Sequence, residues 1–286
     1  MYINLSPEAL GLKVTFEETI RLAKSHGFGG IDLPLKEVIA LSRPERAAEK
    51  IQAAGLQWGG VSLPVNYRKD EATYVTDMDR LEKWLPLVQQ IGCTRCYTPI
   101  RPGDNELDFN ACFDLHVKRL KPIAALLAQH EIRFGLEFIG PKTLRDEMRH
   151  TFIYTIKGML ELCNAIAVNP RENKERIGIL LDSYHWWTSG ATESDLLDLL
   201  NNDNIVYVHV NDGRPGRNRD EQMDLERMLP CDSGLIDIAT FMHCLKKLNY
   251  DGPLTAEPFL PELAEMAIDE AIERTAQSIK QMMDCQ

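Results

Sequence analysis

Short β-rich runs alternate with longer stretches of helical periodicity from one end of this 286-residue chain to the other, and few folds accommodate that rhythm. The predicted strands cover residues 2–5, 30–33, 57–63, 95–100, 133–139, 177–183, 205–211 and 254–259. Predicted helical segments cover 16–25, 42–54, 74–90, 109–129, 153–165, 193–200 and 236–248, with 261–283 closing the chain. Thr15 and Glu18 have the spacing of a capping box at the first of these. Such βα units build a parallel sheet, and roughly 36 residues per unit fits a closed (β/α)8 barrel, an α/β fold.

The connections point the same way. Helix-to-strand links are short and carry Gly27, Gly55, Gly92 or the Asn249 to Gly252 turn, whereas strand-to-helix links at 64–73, 101–107, 140–150 and 212–235 are long and polar. In such a barrel the chemistry sits on the strand-to-helix face. No Gly/Ser/Pro linker, charge block or internal repeat divides the chain, so one domain over residues 1–286 is expected.

Composition removes several function classes. With 32 Lys and Arg against 43 Asp and Glu, the net charge of −11 repels polyphosphate at long range, so nucleic acid is not an expected partner. The opening Met-Tyr-Ile-Asn-Leu-Ser has no basic or apolar leader region, and no apolar stretch approaches membrane-spanning length. A soluble, cytoplasmic protein without membrane association is expected. Cys93, Cys96, Cys112, Cys163, Cys231, Cys244 and Cys285 are odd in number and scattered, which fits reduced thiols. The one C-x-x-C, Cys93 to Cys96, falls at a predicted strand with no second pair to complete a zinc site.

Four predicted strands end in residues that a buried strand does not hold without a reason: Glu137, Asp182, His209 and Glu257. Strand alternation sets Leu136 and Phe138 opposite Glu137, Leu181 opposite Asp182, Val208 and Val210 opposite His209, and Ala256 opposite Glu257. With the bulky apolar residues facing the helices, the polar four point into the barrel near its C-terminal mouth. Carboxylates that close cannot all stay ionised unless something positive sits among them. A buried ion pair would explain any one of these residues. All four in the same parity are best explained by a divalent cation such as Mn²⁺, Mg²⁺, Co²⁺ or Zn²⁺.

Gly-Leu-Glu137-Phe, Leu-Leu-Asp182-x-x-His185, Val-His209-Val-Asn-Asp and Ala-Glu257-Pro-Phe, in that order, resemble the xylose isomerase-like TIM-barrel superfamily. Within it the chain is similar to the sugar phosphate isomerase/epimerase group, which includes D-tagatose 3-epimerase-like enzymes. The resemblance runs from the second to the eighth predicted strand. The segment from Leu229 through Cys231 and Gly234 to Asp237 is similar to that family's Gly-rich turn before the last helix. It implies that Glu137, Asp182, His209 and Glu257 bind one catalytic divalent metal, most often Mn²⁺, and that Glu137 and Glu257 serve as acid and base on opposite faces of a ketose. A small carbohydrate substrate is implied, and a homo-oligomer is compatible with the family.

Around this core, His185 is expected to reach the substrate, as the matching histidine of the epimerases does. Trp186 and Trp187 offer aromatic faces suited to the apolar side of a sugar ring, and one of them is expected to touch it. Lys142, Arg214, Arg217 and Arg219 are cations on the catalytic face, able to neutralise a phosphate, carboxylate or developing alkoxide; Lys142 and Arg217 are the candidates for substrate binding. Asp32, Asn66 and Tyr67 fall where mouth-lining residues belong, although Asp32 could equally cap the next element. The remaining histidines, His26, His116, His130, His150 and His243, have no partner pattern.

The chemistry these residues support best is proton transfer through an enediolate, an isomerase or epimerase reaction. A lyase or dehydratase acting on a keto-sugar or keto-inositol begins with the same proton abstraction. An endonuclease IV-type hydrolase would need histidines where the third and fourth strands end Val61-Ser62-Leu63-Pro64 and Tyr97-Thr98-Pro99. A metal-stabilised, non-catalytic subunit is the third class.

Overall fold

The computed structural model describes residues 1–167 and 176–285. Its strands are β1 (Tyr2–Leu5), β2 (Gly30–Ile31), β3 (Gln57–Trp58), β4 (Val61–Ser62), β5 (Arg95–Ile100), β6 (Gly103–Asp104), β7 (Arg133–Phe138), β8 (His150–Thr151), β9 (Ile177–Asp182), β10 (Ile205–Val210) and β11 (Pro253–Ala256). The main sheet runs in the order β3-β2-β1-β11-β10-β9-β7-β5-β4, with neighbouring strands parallel. The two strands at the ends of that order are halves of the predicted strand 57–63, broken at Gly59 and Gly60. Gly59 N–H donates to Ile31 O at 2.8 Å and Leu33 N–H to Gly60 O at 2.9 Å, while Leu63 N–H donates to Tyr97 O at 2.8 Å. The sheet therefore closes on itself as the expected (β/α)8 barrel. The glycine pair is a steric requirement of closure, because a Cβ on Gly59 would lie 2.4 Å from Asn4 Oδ1 and one on Gly60 3.0 Å from the Tyr207 ring.

The helices are α1 (Phe16–His26), α2 (Leu35–Ile39), α3 (Ala47–Ala53), α4 (Glu71–Gln90), α5 (Phe109–Gln129), α6 (Lys142–Asp146), α7 (Ile156–Ile166), α8 (Ser183–Thr188), α9 (Glu193–Leu199), α10 (Ile238–Lys247), α11 (Pro261–Glu265) and α12 (Ile268–Asp284). Thr15 opens α1 by accepting from Glu18 N–H, and Gly27 ends it at φ +74°. Asp70, Asp108, Thr155 and Asp237 cap α4, α5, α7 and α10 in the same way. Each long helix buries one stripe against the strands, as with Ile272, Ala276, Ile279 and Met282 on α12. Each buried Ile or Met among them contributes about 1.5–3 kcal/mol through burial.

Several predicted strands run one to three residues beyond the observed ends. Past β9, β10 and β11 the chain leaves the ladder where side chains take over its hydrogen bonds: Asp182 caps α8, Ser183 Oγ accepts from Asn211 N–H and Asn211 Oδ1 accepts from Glu257 N–H. Segment 42–54 divides into a 3-10 turn, Pro44–Arg46, and α3, and segment 261–283 divides at Met266 and Ala267 into α11 and α12. Short elements fill the long strand-to-helix connections: α2, α6, α8 and the antiparallel pair β6 and β8. The thiols of Cys93 and Cys96 are buried, and burial pushes the Cys93 thiol up to about 12. Among the described residues, no helix is long and apolar enough to cross a membrane.

Candidate metal centre

The carboxyl ends of four adjacent strands meet at one point. In the register of the sheet His209 on β10 stands beside Asp182 on β9 and Thr255 on β11, Glu257 follows β11, and Glu137 lies on β7. Leu136, Phe138, Leu181, Val208 and Val210 are buried on the opposite faces, as the alternation requires. One ligand atom from each of Glu137, Asp182, His209 and Glu257 lies within 4.8 Å of the other three. His209 Nδ1 stands 3.1 Å from Glu137 Oε1, 3.3 Å from Glu257 Oε2 and 3.9 Å from Asp182 Oδ2.

This donor set fits a cation better than it fits a hydrogen-bond cluster. A protonated Nδ1 carries one hydrogen and satisfies one of the three carboxylates that face it. A neutral Nδ1 lone pair and three carboxylate oxygens around a divalent ion satisfy all four together. The electrostatics agree. Burial pushes Glu137 up to about 7 against the lowering effect of His209, with Glu257 and Asp182 adding to the rise. Burial also raises Asp182. Burial acts to lower His209, but Glu257 and Glu137 hold it well above the ordinary imidazole range. Glu257 falls below its usual value, because His209 and Arg227 outweigh its burial.

Arg227 was not singled out from the sequence, yet it is central here. Its side chain is 2% exposed. Nη1 donates to Asp182 Oδ2 at 2.8 Å and approaches Glu257 Oε2 at 3.4 Å, and Nη2 donates to Asp224 Oδ1 at 2.9 Å. The guanidinium lies 4.9 Å from the centroids of both the Tyr184 and Phe259 rings. Its one sequence signal is the apolar company of Leu225, Met228 and Leu229 within an otherwise polar loop.

Asn211 follows His209 by two positions in the Val-His209-Val-Asn-Asp motif. Its Nδ2 donates to Asp182 Oδ2 at 3.0 Å and its Oδ1 accepts from Glu257 N–H at 2.9 Å, so one amide holds the Asp182 carboxylate and the Glu257 backbone. The next residue, Asp212, gathers the 212–235 segment: its carboxylate accepts from the N–H groups of Gly213, Ser233, Gly234 and Ile236. A bridge between Asp212 and Met228 closes the same segment and sets Arg227 over the site.

The structure brings His185 to the cluster. It sits on α8 rather than in a loop, fully buried, with Nε2 4.0 Å from Glu137 Oε1, 3.8 Å from Asp224 Oδ1 and 3.1 Å from Arg227 Nη2. Gly140 N–H approaches its Nδ1 at 3.2 Å while Arg227 Nη2, a donor only, stands at Nε2, so a neutral ring, with one acceptor nitrogen, takes one of these two bonds. Burial, together with the charges of Arg227 and His209, holds His185 well below its ordinary value.

Other candidates are placed elsewhere. Trp186, also on α8, packs against Phe241 and donates from Nε1 to Thr192 O at 3.1 Å. Trp187 lies against Gly213, where a Cβ would come within 3.0 Å of its ring. Lys142 pairs with Asp146, and Arg217 pairs with Glu226 at 2.6 Å. Arg214 pairs with Glu262 at 3.2 Å and Arg219 with Asp220 at 3.7 Å. Asn66 bonds to Asp77, and Tyr67 OH donates to Pro99 O. Asp32 lies in the barrel lumen, accepting from Tyr97, Tyr207 and Asn4.

Comparison with known proteins agrees with this architecture. The inosose isomerase of Bacillus subtilis (strain 168) is 23% identical over 157 residues, a match that covers 54% of this chain and 50% of that protein, so the chain spans about half the length of the curated relatives it matches. A xylose isomerase domain protein from Alicyclobacillus acidocaldarius superposes with a TM-score of 0.85 at 24% identity, covering 98% of this chain and 97% of that one. The zinc-containing IOLI protein superposes at 0.80 with 16% identity over 99% and 98% of the two chains. A D-psicose 3-epimerase in the presence of D-fructose superposes at 0.74 with 13% identity over 100% and 99%. These structural likenesses speak for the fold. Residues 20–282 match the xylose isomerase-like TIM barrel family, and the chain belongs to that family.

Proposed function

We propose that this protein is a divalent-metal-dependent isomerase or epimerase of a small sugar or sugar derivative, working by carboxylate-mediated proton transfer through an enediolate. The observation that carries the reading is the approach of Glu137 and Glu257 to the same His209 nitrogen, at 3.1 and 3.3 Å. Two carboxylates that close offer a base and an acid to one reacting carbon. Glu137, Asp182, His209 and Glu257 would hold the ion, with Mn²⁺ favoured over Mg²⁺, Co²⁺ and Zn²⁺. A bound divalent ion supplies the positive charge that stabilises an enediolate.

The chain's own groups do the rest. One glutamate would remove the proton α to the carbonyl and the other, itself protonated, would deliver a proton to the same carbon from the opposite face, which inverts the stereocentre. His185, kept neutral by its burial, would line the substrate pocket beside Glu137 and Arg227. Arg227 orients Asp182 and Glu257 and adds a fixed positive charge to a pocket that accumulates negative charge in the transition state. The names of the inosose isomerase relatives and the epimerase neighbour support a carbohydrate or cyclitol substrate. We extend the reading to the whole chain as one catalytic domain, with no nucleic acid or membrane partner.

The test is solvent deuterium exchange at the carbon α to the carbonyl, using the Mn²⁺-loaded protein with a panel of ketoses and keto-inositols. Wild type exchanges, and Glu137→Gln and Glu257→Gln each lower the rate by at least about a hundredfold. A variant that retains near wild-type exchange removes its glutamate from the mechanism. Loss of water from the substrate with no proton returned would make the enzyme a dehydratase.

A further inference from the structure

The site described so far is built by the second half of the barrel. Beside it, on the mouth formed by the first half, lies a cavity of about 360 Å³ whose wall includes Ser6, Asp32, Ser62 and Tyr97. Tyr97 links the two: its ring stands edge-on to His209 at 5.8 Å while its hydroxyl donates to Asp32 Oδ2 at 2.9 Å. Tyr207, 5.4 Å from the His209 ring, donates to Asp32 Oδ1 at 2.7 Å, and Asn4 Nδ2 donates to the same oxygen at 3.0 Å. Tyr207 and Asn4 both bond on to Thr255.

Asp32 is thus clamped by side chains from three other strands while staying half-buried on the cavity wall. A carboxylate offers about four lone-pair positions, of which these donors take three, leaving one on Oδ2. Such a locked acceptor is suited to a hydroxyl donor. Acidic side chains outnumber basic ones on the same wall, with Glu8, Asp32 and Glu37 against Lys36, so a second anion is poorly accommodated there.

We infer that Asp32 anchors a hydroxyl at the end of the substrate remote from the metal centre, and that the substrate is an uncharged polyol rather than a phosphate ester or sugar acid. The inference rests on the sugar-directed reading above and deepens it.

Calorimetric titration of the Mn²⁺-loaded, full-length protein with D-fructose, D-fructose 6-phosphate and 1,3-dihydroxyacetone tests it. Dihydroxyacetone keeps the carbonyl and its neighbouring hydroxyls but lacks a remote end. Wild type is expected to prefer D-fructose to its phosphate ester by at least about tenfold. Asp32→Asn is expected to cut the preference for D-fructose over dihydroxyacetone by at least about tenfold, or about 1.4 kcal/mol. Ser62→Leu, which narrows the cavity and leaves every hydrogen-bonding group of the Asp32 network in place, is expected to do the same and decides the matter if Asp32→Asn fails to fold. An unchanged preference in the folded variants, tighter binding of the phosphate ester, or no binding of D-fructose to wild type each overturns the inference. Failure of wild type to exchange any substrate proton defeats the proton-transfer reading instead, and leaves these binding ratios to decide the role of Asp32.

Discussion

Arg227 shows how much of this site depends on a single buried charge. It faces Asp182, Asp224 and Glu257, and the desolvation of each group is tolerable only while the others remain. Arg227→Ala leaves those carboxylates uncompensated and is expected to destabilise the fold by about 3–5 kcal/mol, read by denaturant unfolding. Arg227→Lys restores a charge but not a fork that reaches Asp182 and Asp224 together, so an intermediate loss is expected. A loss below about 1 kcal/mol for the alanine variant would show that the ion network is dispensable. The metal-centre residues were legible in the sequence because period-two alternation says which way Glu137, Asp182, His209 and Glu257 point. Arg227 lies in a segment without a period, and only its fold-back through Asp212 brings it over the site.

The same contrast appears among elements. Barrel strands and long helices declare themselves by apolar period, and α1, α4, α5 and α9 start within three residues of their predicted ends. α8 does not declare itself, since Ser183–Thr188 is a single short turn-rich helix of aromatic residues whose start is fixed by Asp182 accepting from Tyr184 N–H at 2.6 Å. That capping explains why His185 and Trp186, adjacent in sequence, face the site and the helix layer respectively. The 212–235 strap is likewise defined by one side chain. Asp212→Ala would strip partners from the N–H groups of Gly213, Ser233, Gly234 and Ile236, each worth about 1–3 kcal/mol if left buried and unpaired. Partial rescue by water leaves an expected loss of at least about 2 kcal/mol, together with faster proteolytic cleavage between Gly213 and Gly234. Cleavage at the wild-type rate would mean that the strap is held by other contacts.

At the scale of the whole barrel, closure through Gly59 and Gly60 and convergence of four strand ends make the candidate metal centre an element of stability. In the metal-free protein the Glu137 carboxyl sits at about 7, above its ordinary 4.5. A group raised on folding contributes stability that is present below its unfolded value and lost as pH rises through the folded one. Glu137 therefore costs the metal-free barrel stability between about pH 4.5 and 7, and His209, also raised, acts in the same direction. A divalent ion reverses this, because it takes the place of those protons and binds more tightly as they leave. The melting temperature with Mn²⁺ and with EDTA should therefore nearly coincide at pH 5 and diverge as pH rises past 7, with about 2.7 kcal/mol of added stability when free metal is a hundred times Kd. Glu137→Gln should shrink that divergence while flattening the EDTA curve. Coincident melting curves at pH 8, with and without Mn²⁺, would mean that the three carboxylates are neutralised by His209 and Arg227 alone.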